Sequence, residues 1–265
     1  MKMNKVKSAD GTSIAFETTA GNGPPLILVG GAFCDRSAAV SGTPLAALLA
    51  HRFTVFSYDR RGRGDSEDTP PYAIDREVED LSALITAAGG SAFVFGNSSG
   101  ALLALDAAIQ KLSIAKLALY EPPVILDPSR VKAFEGMTKQ LAEAVLQDRR
   151  AEAVELYMTK VMQMPAPAFE QRRKSPMWPG LLAIAQTLPY DLLIAARGPA
   201  RLEQLPSVRS VTLVMDGGAS PPWMRDAIRI LASAIPNARQ RTLEGQTHAV
   251  DLKTLAQALE EFFGE

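Results

Sequence analysis

The sequence predicts an α/β fold: a mostly parallel sheet with helices on both faces and a helical block inserted late in the chain. Three observations carry this expectation. Short apolar runs of strand length alternate with longer stretches of helical periodicity as far as Tyr120. From about Asp127 to Ala200 only helical patterns are visible, and the alternation then resumes. At 265 residues the chain is long enough for one large core carrying an insertion.

The elements follow in order. Val6–Ser8 and Ser13–Glu17 flank Asp10-Gly11, a hairpin turn signal. Leu26–Val29 is an uninterrupted apolar run, as a strand buried on both faces requires, and Gly30-Gly31 end it. Leu45–Ala50 reads as helix and Phe53–Tyr58 as strand. Ile74–Ala88 is helical, with Val78, Leu81, Leu84 and Ile85 on one side. Ala92–Phe95 is a strand, Gly100–Lys111 a helix and Lys116–Tyr120 a strand. Within the insertion, helices are expected over Val131–Gln147, Ala151–Met162 and Pro179–Ile194, separated by Pro165, Pro167, Pro176 and Pro179. The sheet then resumes with strand Val211–Met215, helix Pro222–Ala234, strand Arg239–Leu243 and helix Leu252–Phe263. The expected domains are a core of 1–126 with 201–265 and an inserted helical lid of 127–200.

Composition removes several function classes. Hydrophobic residues make up 47% and charged residues 22%, with a net charge of −1, so neither nucleic acid nor a membrane surface is expected as partner. Cys34 is the single cysteine, which forbids an intrachain disulfide. With His51 and His248 as the only histidines, no metal-ligand cluster is in prospect; no dinucleotide fingerprint is present, and no cofactor is expected. No apolar h-region opens the chain and no stretch is long enough to span a bilayer, so the expectation is a cytoplasmic protein acting on a small molecule. The sequence leaves the oligomeric state open.

Gly96-Asn97-Ser98-Ser99-Gly100 matches Gly-x-Ser-x-Gly between a strand and a helix. A chain that reverses this sharply holds its central residue in strained geometry with the side chain exposed, and the flanking glycines let strand and helix approach. Ser98 is the expected nucleophile, at a helix N-terminus whose N–H groups favour a developing oxyanion.

With that motif, the chain resembles the α/β-hydrolase superfamily over nearly its full length. Tyr58–Ser66 looks like the family's Asp-x-Arg-Gly-x-Gly-x-Ser loop, Leu117–Pro123 like the segment entering the lid, and Gly245–His248 like the histidine loop. The resemblance implies the α/β-hydrolase fold. The charged groups of the Asp59 loop read as bracing. In this fold the triad follows in the order Ser, acid, His, which selects His248 as general base and leaves His51 as a solvated residue.

The acid departs from the family pattern, because Ser220 stands where the family most often places an aspartate. Two carboxylates can replace it. Glu121 ends the strand beside the elbow strand, and some family members draw a glutamate from there. Asp216 is the runner-up. Asp251 reads as a helix cap. Gly30 occupies the family's histidine position in the oxyanion loop, and matching Gly31 to the family glycine makes the Ala32 N–H a donor alongside that of Ser99; a shift of one residue would select Phe33 instead. Phe33, Met158, Met162 and Trp178 are expected to line the pocket, which suggests an apolar substrate. The expected function is hydrolysis of a small, apolar ester, lactone or thioester through an acyl-enzyme on Ser98. Carbon–carbon hydrolysis, perhydrolysis or lyase chemistry on the same fold, or a non-catalytic ligand-binding role, are the alternatives.

Overall fold

The computed structural model describes residues 3–265. Among these, eight strands form one sheet: β1 (Met3–Lys7), β2 (Ser13–Thr18), β3 (Pro25–Val29), β4 (Thr54–Tyr58), β5 (Ala92–Asn97), β6 (Ile114–Tyr120), β7 (Val211–Gly217) and β8 (Ala238–Leu243). Their spatial order is β1-β2-β4-β3-β5-β6-β7-β8. The Asp10-Gly11 turn closes an antiparallel β1–β2 hairpin, and β2 runs antiparallel to β4. Every pairing from β4 to β8 is parallel.

Strand alternation sorts the apolar side chains into two cores. Ile27, Val29, Val94, Leu117 and Leu119 pack on one face with α2 (Ile74–Ala87), α3 (Ser99–Ile109) and α10 (Pro222–Ala234). Leu26, Leu28, Val55, Phe95, Ala118 and Tyr120 pack on the other with α1 (Thr43–Leu49) and α11 (Leu252–Gly264). Both faces are covered, which is why β3 carries no polar residue.

β3 lies between β4 and β5, so the chain leaving β3 turns to the α1 face and the chain leaving β5 turns to the α3 face. The crevice at such a switch point, beyond the strand C-termini, is where doubly wound sheets bind ligands. The loop after β3 and the Ser98 turn after β5 both open there.

Between β6 and β7 come α4 (Pro128–Leu146), α5 (Arg150–Leu156), α6 (Ala166–Arg173), α7 (Trp178–Ala183), α8 (Leu188–Ala196) and α9 (Gly198–Leu202). Asp127 caps α4, accepting the Ser129 N–H at 2.8 Å. The helix expected over Ala151–Met162 passes from α5 into a π turn at Tyr157–Val161, and that over Pro179–Ile194 is divided by a 3-10 turn at Ala185–Thr187. Helices α6 and α9 lie outside the expected helical segments. Each has a proline in the first turn, Pro167 and Pro199, where its missing N–H leaves no bond unmade; Pro167, expected as a separator, is thus part of a helix start. Leu141, Val154, Tyr157, Met158, Phe169, Leu181 and Leu188 give the block its own apolar core, which extends to Ala32 and Phe33 after β3. No helix among the described residues is long and apolar enough to cross a membrane.

Candidate active site

Ser98 stands between the last residue of β5 and the first of α3, with φ 56° and ψ −131°. A non-glycine residue is held there only when its surroundings demand it, at a cost of about 1–3 kcal/mol. Here the Ser98 N–H donates to the Tyr120 carbonyl at 2.9 Å, and the Ser98 carbonyl accepts the Ala101 N–H at 2.9 Å. The flanking glycines are obligatory: a Cβ on Gly96 would meet the Ala101 Cα at 2.6 Å, and one on Gly100 the Val29 carbonyl oxygen at 2.4 Å.

Glu121 follows β6 directly. The strand order puts β6 between the elbow strand and β7, so its end opens beside both loops. Glu121 is wholly buried and has a positive φ of 45°, with its N–H donating to the Met215 carbonyl at 2.9 Å. Its Oε1 accepts the Gly217 N–H at 2.8 Å and its Oε2 lies 2.8 Å from His248 Nδ1. Burial alone pushes this carboxyl up. Hydrogen bonding by His248 and Gly217 outweighs it, and the net position is below the usual glutamate range. The Ser220 hydroxyl, which meets no strict hydrogen-bond geometry, acts on Glu121 in the same direction. His248 is partly exposed, in a loop whose Thr247 carbonyl accepts the Tyr120 hydroxyl at 2.6 Å.

Asp216 is engaged elsewhere, accepting from Thr242 Oγ1 at 2.9 Å and from Arg225 Nε at 3.3 Å. Asp251 caps α11 through the Thr254 N–H at 2.9 Å. His51 is exposed, with Nδ1 on the Leu48 carbonyl and Nε2 3.5 Å from Glu260.

The loop after β3 approaches the serine closely. A Cβ on Gly31 would stand 2.8 Å from the Ser98 Cβ and 3.4 Å from its Oγ. Neither the Ala32 nor the Phe33 N–H has a hydrogen-bond partner among the described residues, and the Ser99 N–H, at the first position of α3, has no acceptor within its helix. Phe33 adopts a positive φ of 59° and packs edge-on against Tyr157, 5.3 Å between ring centroids. Met158 is buried in the core that reaches Phe33, and Trp178 packs on its margin against Phe169. Met162 departs from the expectation: it follows the π turn, is 49% exposed and joins none of the apolar cores. Cys34 is a free thiol pushed above its usual range by desolvation, unsuited to act as a nucleophile.

A buried ionic cluster lies behind the site. Asp191, on α8, accepts from Arg60 Nη1, Arg63 Nη2 and Ser99 Oγ, each at 2.7 Å. Arg60 also makes a two-pronged contact with Glu77 at 2.6 Å, and Arg61 does the same with Asp80 at 2.8 and 2.7 Å. The sequence reading assigned the Asp59 loop a bracing role but no partner for Arg60 or Arg63. The available signal was one lone charge in apolar company, Asp191 inside Leu188–Ile194.

The Alpha/beta hydrolase family model matches residues 26–263. An α/β hydrolase structure from Sphaerobacter thermophilus is 48% identical, with a TM-score of 0.86 over 98% of this chain and 100% of that one. The enol-lactonase of Burkholderia xenovorans shares the fold at 21% identity, with a TM-score of 0.70 over 99% of this chain and 100% of its own. N-formylmaleamate deformylase of Pseudomonas putida is 35% identical over 121 residues, 44% of each chain. An uncharacterised Bacillus subtilis hydrolase, YraK, is 27% identical over 58% of this chain and 56% of its own, so these sequence matches span about half of those relatives. With a strained serine turn, a glutamate–histidine pair and a family match over most of its length, the chain belongs to the alpha/beta hydrolase family of enzymes.

Proposed function

We propose that this enzyme is a serine hydrolase that cleaves a small, apolar ester, lactone or thioester through an acyl-enzyme on Ser98. The observation that carries the reading is the 2.8 Å contact between His248 Nδ1 and a buried, ionised Glu121. A carboxylate on Nδ1 fixes the tautomer that leaves Nε2 free to accept a proton.

In the proposed reaction Ser98 Oγ attacks the carbonyl carbon as His248 Nε2 takes its proton. The carbonyl oxygen, now an anion, is held by the N–H groups of Ala32 and Ser99. Collapse expels the alcohol, or the thiol of a thioester, which takes the proton from His248. Water then gives a proton to His248 and attacks the acyl carbon; the second collapse breaks the bond to Ser98 Oγ, which takes the proton back from His248, and releases the carboxylic acid. The helical block serves as a lid, and the extension of its apolar core onto Ala32 and Phe33 supports an apolar acyl or leaving group. Deformylase and enol-lactonase activities, named for two of the relatives, are also acyl transfers to water. A non-catalytic binder was an alternative because Ser220 left the usual acid position without charge. The Glu121–His248 contact supports the enzyme reading over that one.

The test is turnover of p-nitrophenyl acetate and butyrate together with labelling by a fluorophosphonate. Both should be lost in Ser98→Ala. No turnover and no labelling of the wild-type protein, with tight binding of a small apolar molecule, would establish a binder instead.

A further inference from the structure

We propose that Asp191, carried on the inserted helical block, is a positioning residue that sets the direction of both oxyanion-hole N–H groups. This rests on the serine-hydrolase reading above.

Two routes lead from its carboxylate to the two donors. In the first, Asp191 Oδ2 holds Arg63 Nη2 at 2.7 Å, and Arg63 Nη1 donates to the carbonyls of Gly31 at 2.6 Å and Cys34 at 3.0 Å. The Gly31 carbonyl and the Ala32 N–H belong to one planar trans peptide and point in opposite directions. Fixing the carbonyl on Arg63 therefore aims the N–H away from Arg63. In the second, Asp191 Oδ1 accepts the Ser99 hydroxyl at 2.7 Å, which anchors the first residue of α3, whose own N–H is the other donor.

The surrounding contacts leave the cluster little freedom. Arg63 Nε donates to Thr187 Oγ1 at 3.0 Å. Arg60 reaches Asp191 Oδ1 and the Gly30 carbonyl, at 2.7 and 3.2 Å, and is gripped from behind by Glu77, which also accepts the Tyr72 hydroxyl. Asp191 and both arginines are almost wholly buried. A buried ion cluster of this kind is weak evidence for stability, since well-packed apolar side chains serve as well. What it supplies and they cannot is direction, because a guanidinium fork between a carboxylate and two carbonyls fixes the angle of each.

The experiment measures kcat and KM for p-nitrophenyl butyrate in Asp191→Asn and Ser99→Ala, normalised to active sites titrated to completion with a fluorophosphonate. Inhibition by an aryl trifluoromethyl ketone, whose adduct with Ser98 places an oxyanion in the hole, is measured alongside. Asp191→Asn should lower kcat per titrated site by about thirtyfold or more, with KM within about twofold, and weaken the ketone by a similar factor. The pH midpoint of kcat should not move, because Glu121 and His248 are untouched. Unchanged kcat per titrated site, with fewer sites titrated, would make Asp191 merely structural and overturn the proposal. If Asp191→Asn does not fold, Ser99→Ala decides: it leaves both arginines paired and should cost about tenfold in kcat and in ketone affinity, and wild-type values overturn the proposal. A wild-type protein that neither turns over ester nor labels brings down the reading of the site and this inference with it. An active wild type whose variants match it brings down this inference alone.

Discussion

The carboxylate of Glu121, just after β6, faces His248 in the loop after β8 across the end of β7, Oε2 at 2.8 Å from Nδ1, while its other oxygen is held by the Gly217 N–H. The histidine is thereby referenced to the ends of β6 and β7, which are fixed in the sheet, whereas His248 itself sits in a loop.

Glu121→Gln keeps this shape and removes the charge. On the proposed mechanism the carboxylate stabilises the imidazolium in the transition state, so turnover should fall about a hundredfold or more with substrate binding nearly unchanged. Asp216→Asn, whose carboxylate is spent on Thr242 and Arg225, should cost far less. Steady-state kinetics on the pair decides, and a crippled Asp216→Asn beside a mild Glu121→Gln would reverse the assignment.

Ser98→Ala and His248→Ala should each reduce turnover by about a thousandfold or more, and the double variant little further, since the two groups act as a unit. Additive losses would point to separate roles.

Gly31→Ala should fold and fail in catalysis. The new methyl would lie 2.8 Å from the Ser98 Cβ and 3.0 Å from the Asn97 carbonyl oxygen, so the loop after β3 or the serine must shift. We expect at least about a tenfold loss of kcat, as misplaced reacting groups produce, with circular dichroism unchanged. Gly100→Ala meets backbone instead, the Val29 carbonyl oxygen at 2.4 Å, and should lose about 2 kcal/mol or more of stability in urea titration.

The Glu121 carboxyl titrates below its ordinary value in the folded protein. Between the two values the unfolded chain binds the extra proton, so stability rises with pH there. This contribution is complete above the ordinary glutamate value and is lost as pH falls towards the folded one. Melting temperature followed from about pH 6 down to about pH 3 should fall less steeply in Glu121→Gln than in wild type. Parallel curves would show that the pairing contributes nothing to acid stability.

Local patterns made much of the fold legible. The apolar run of β3, the hairpin turn and the helical period of α2 each depend on neighbours in sequence, and each stands where it was expected. The serine turn was legible for the same reason, since its glycines announce a close approach of strand and helix. Glu121 could be preferred because strand adjacency follows from the fold once the family is suspected. The pocket was not legible in the same way: Met158 and Met162 are four residues apart, yet one is buried and the other exposed, because Met158 lies within the π turn that packs on the block's core while Met162 follows it, where the chain leaves the helix. Asp191 was missed because its partners lie more than ninety residues away, at Ser99, Arg60 and Arg63, and no periodicity reports such a contact.

The Arg63–Asp191 bond also bears on how this scaffold can be re-engineered. On the proposed reading the helical block between β6 and β7 is a lid, and such a block invites exchange as a cassette, one trimmed out and another grafted in to change what is accepted. In this protein the cassette brings the counter-ion for an arginine that stays behind in the recipient. A graft without an acidic side chain at the Asp191 position would strand Arg63 and loosen the peptide it grips at Gly31. Donor caps are best screened first for that one carboxylate, and for pocket shape only afterwards.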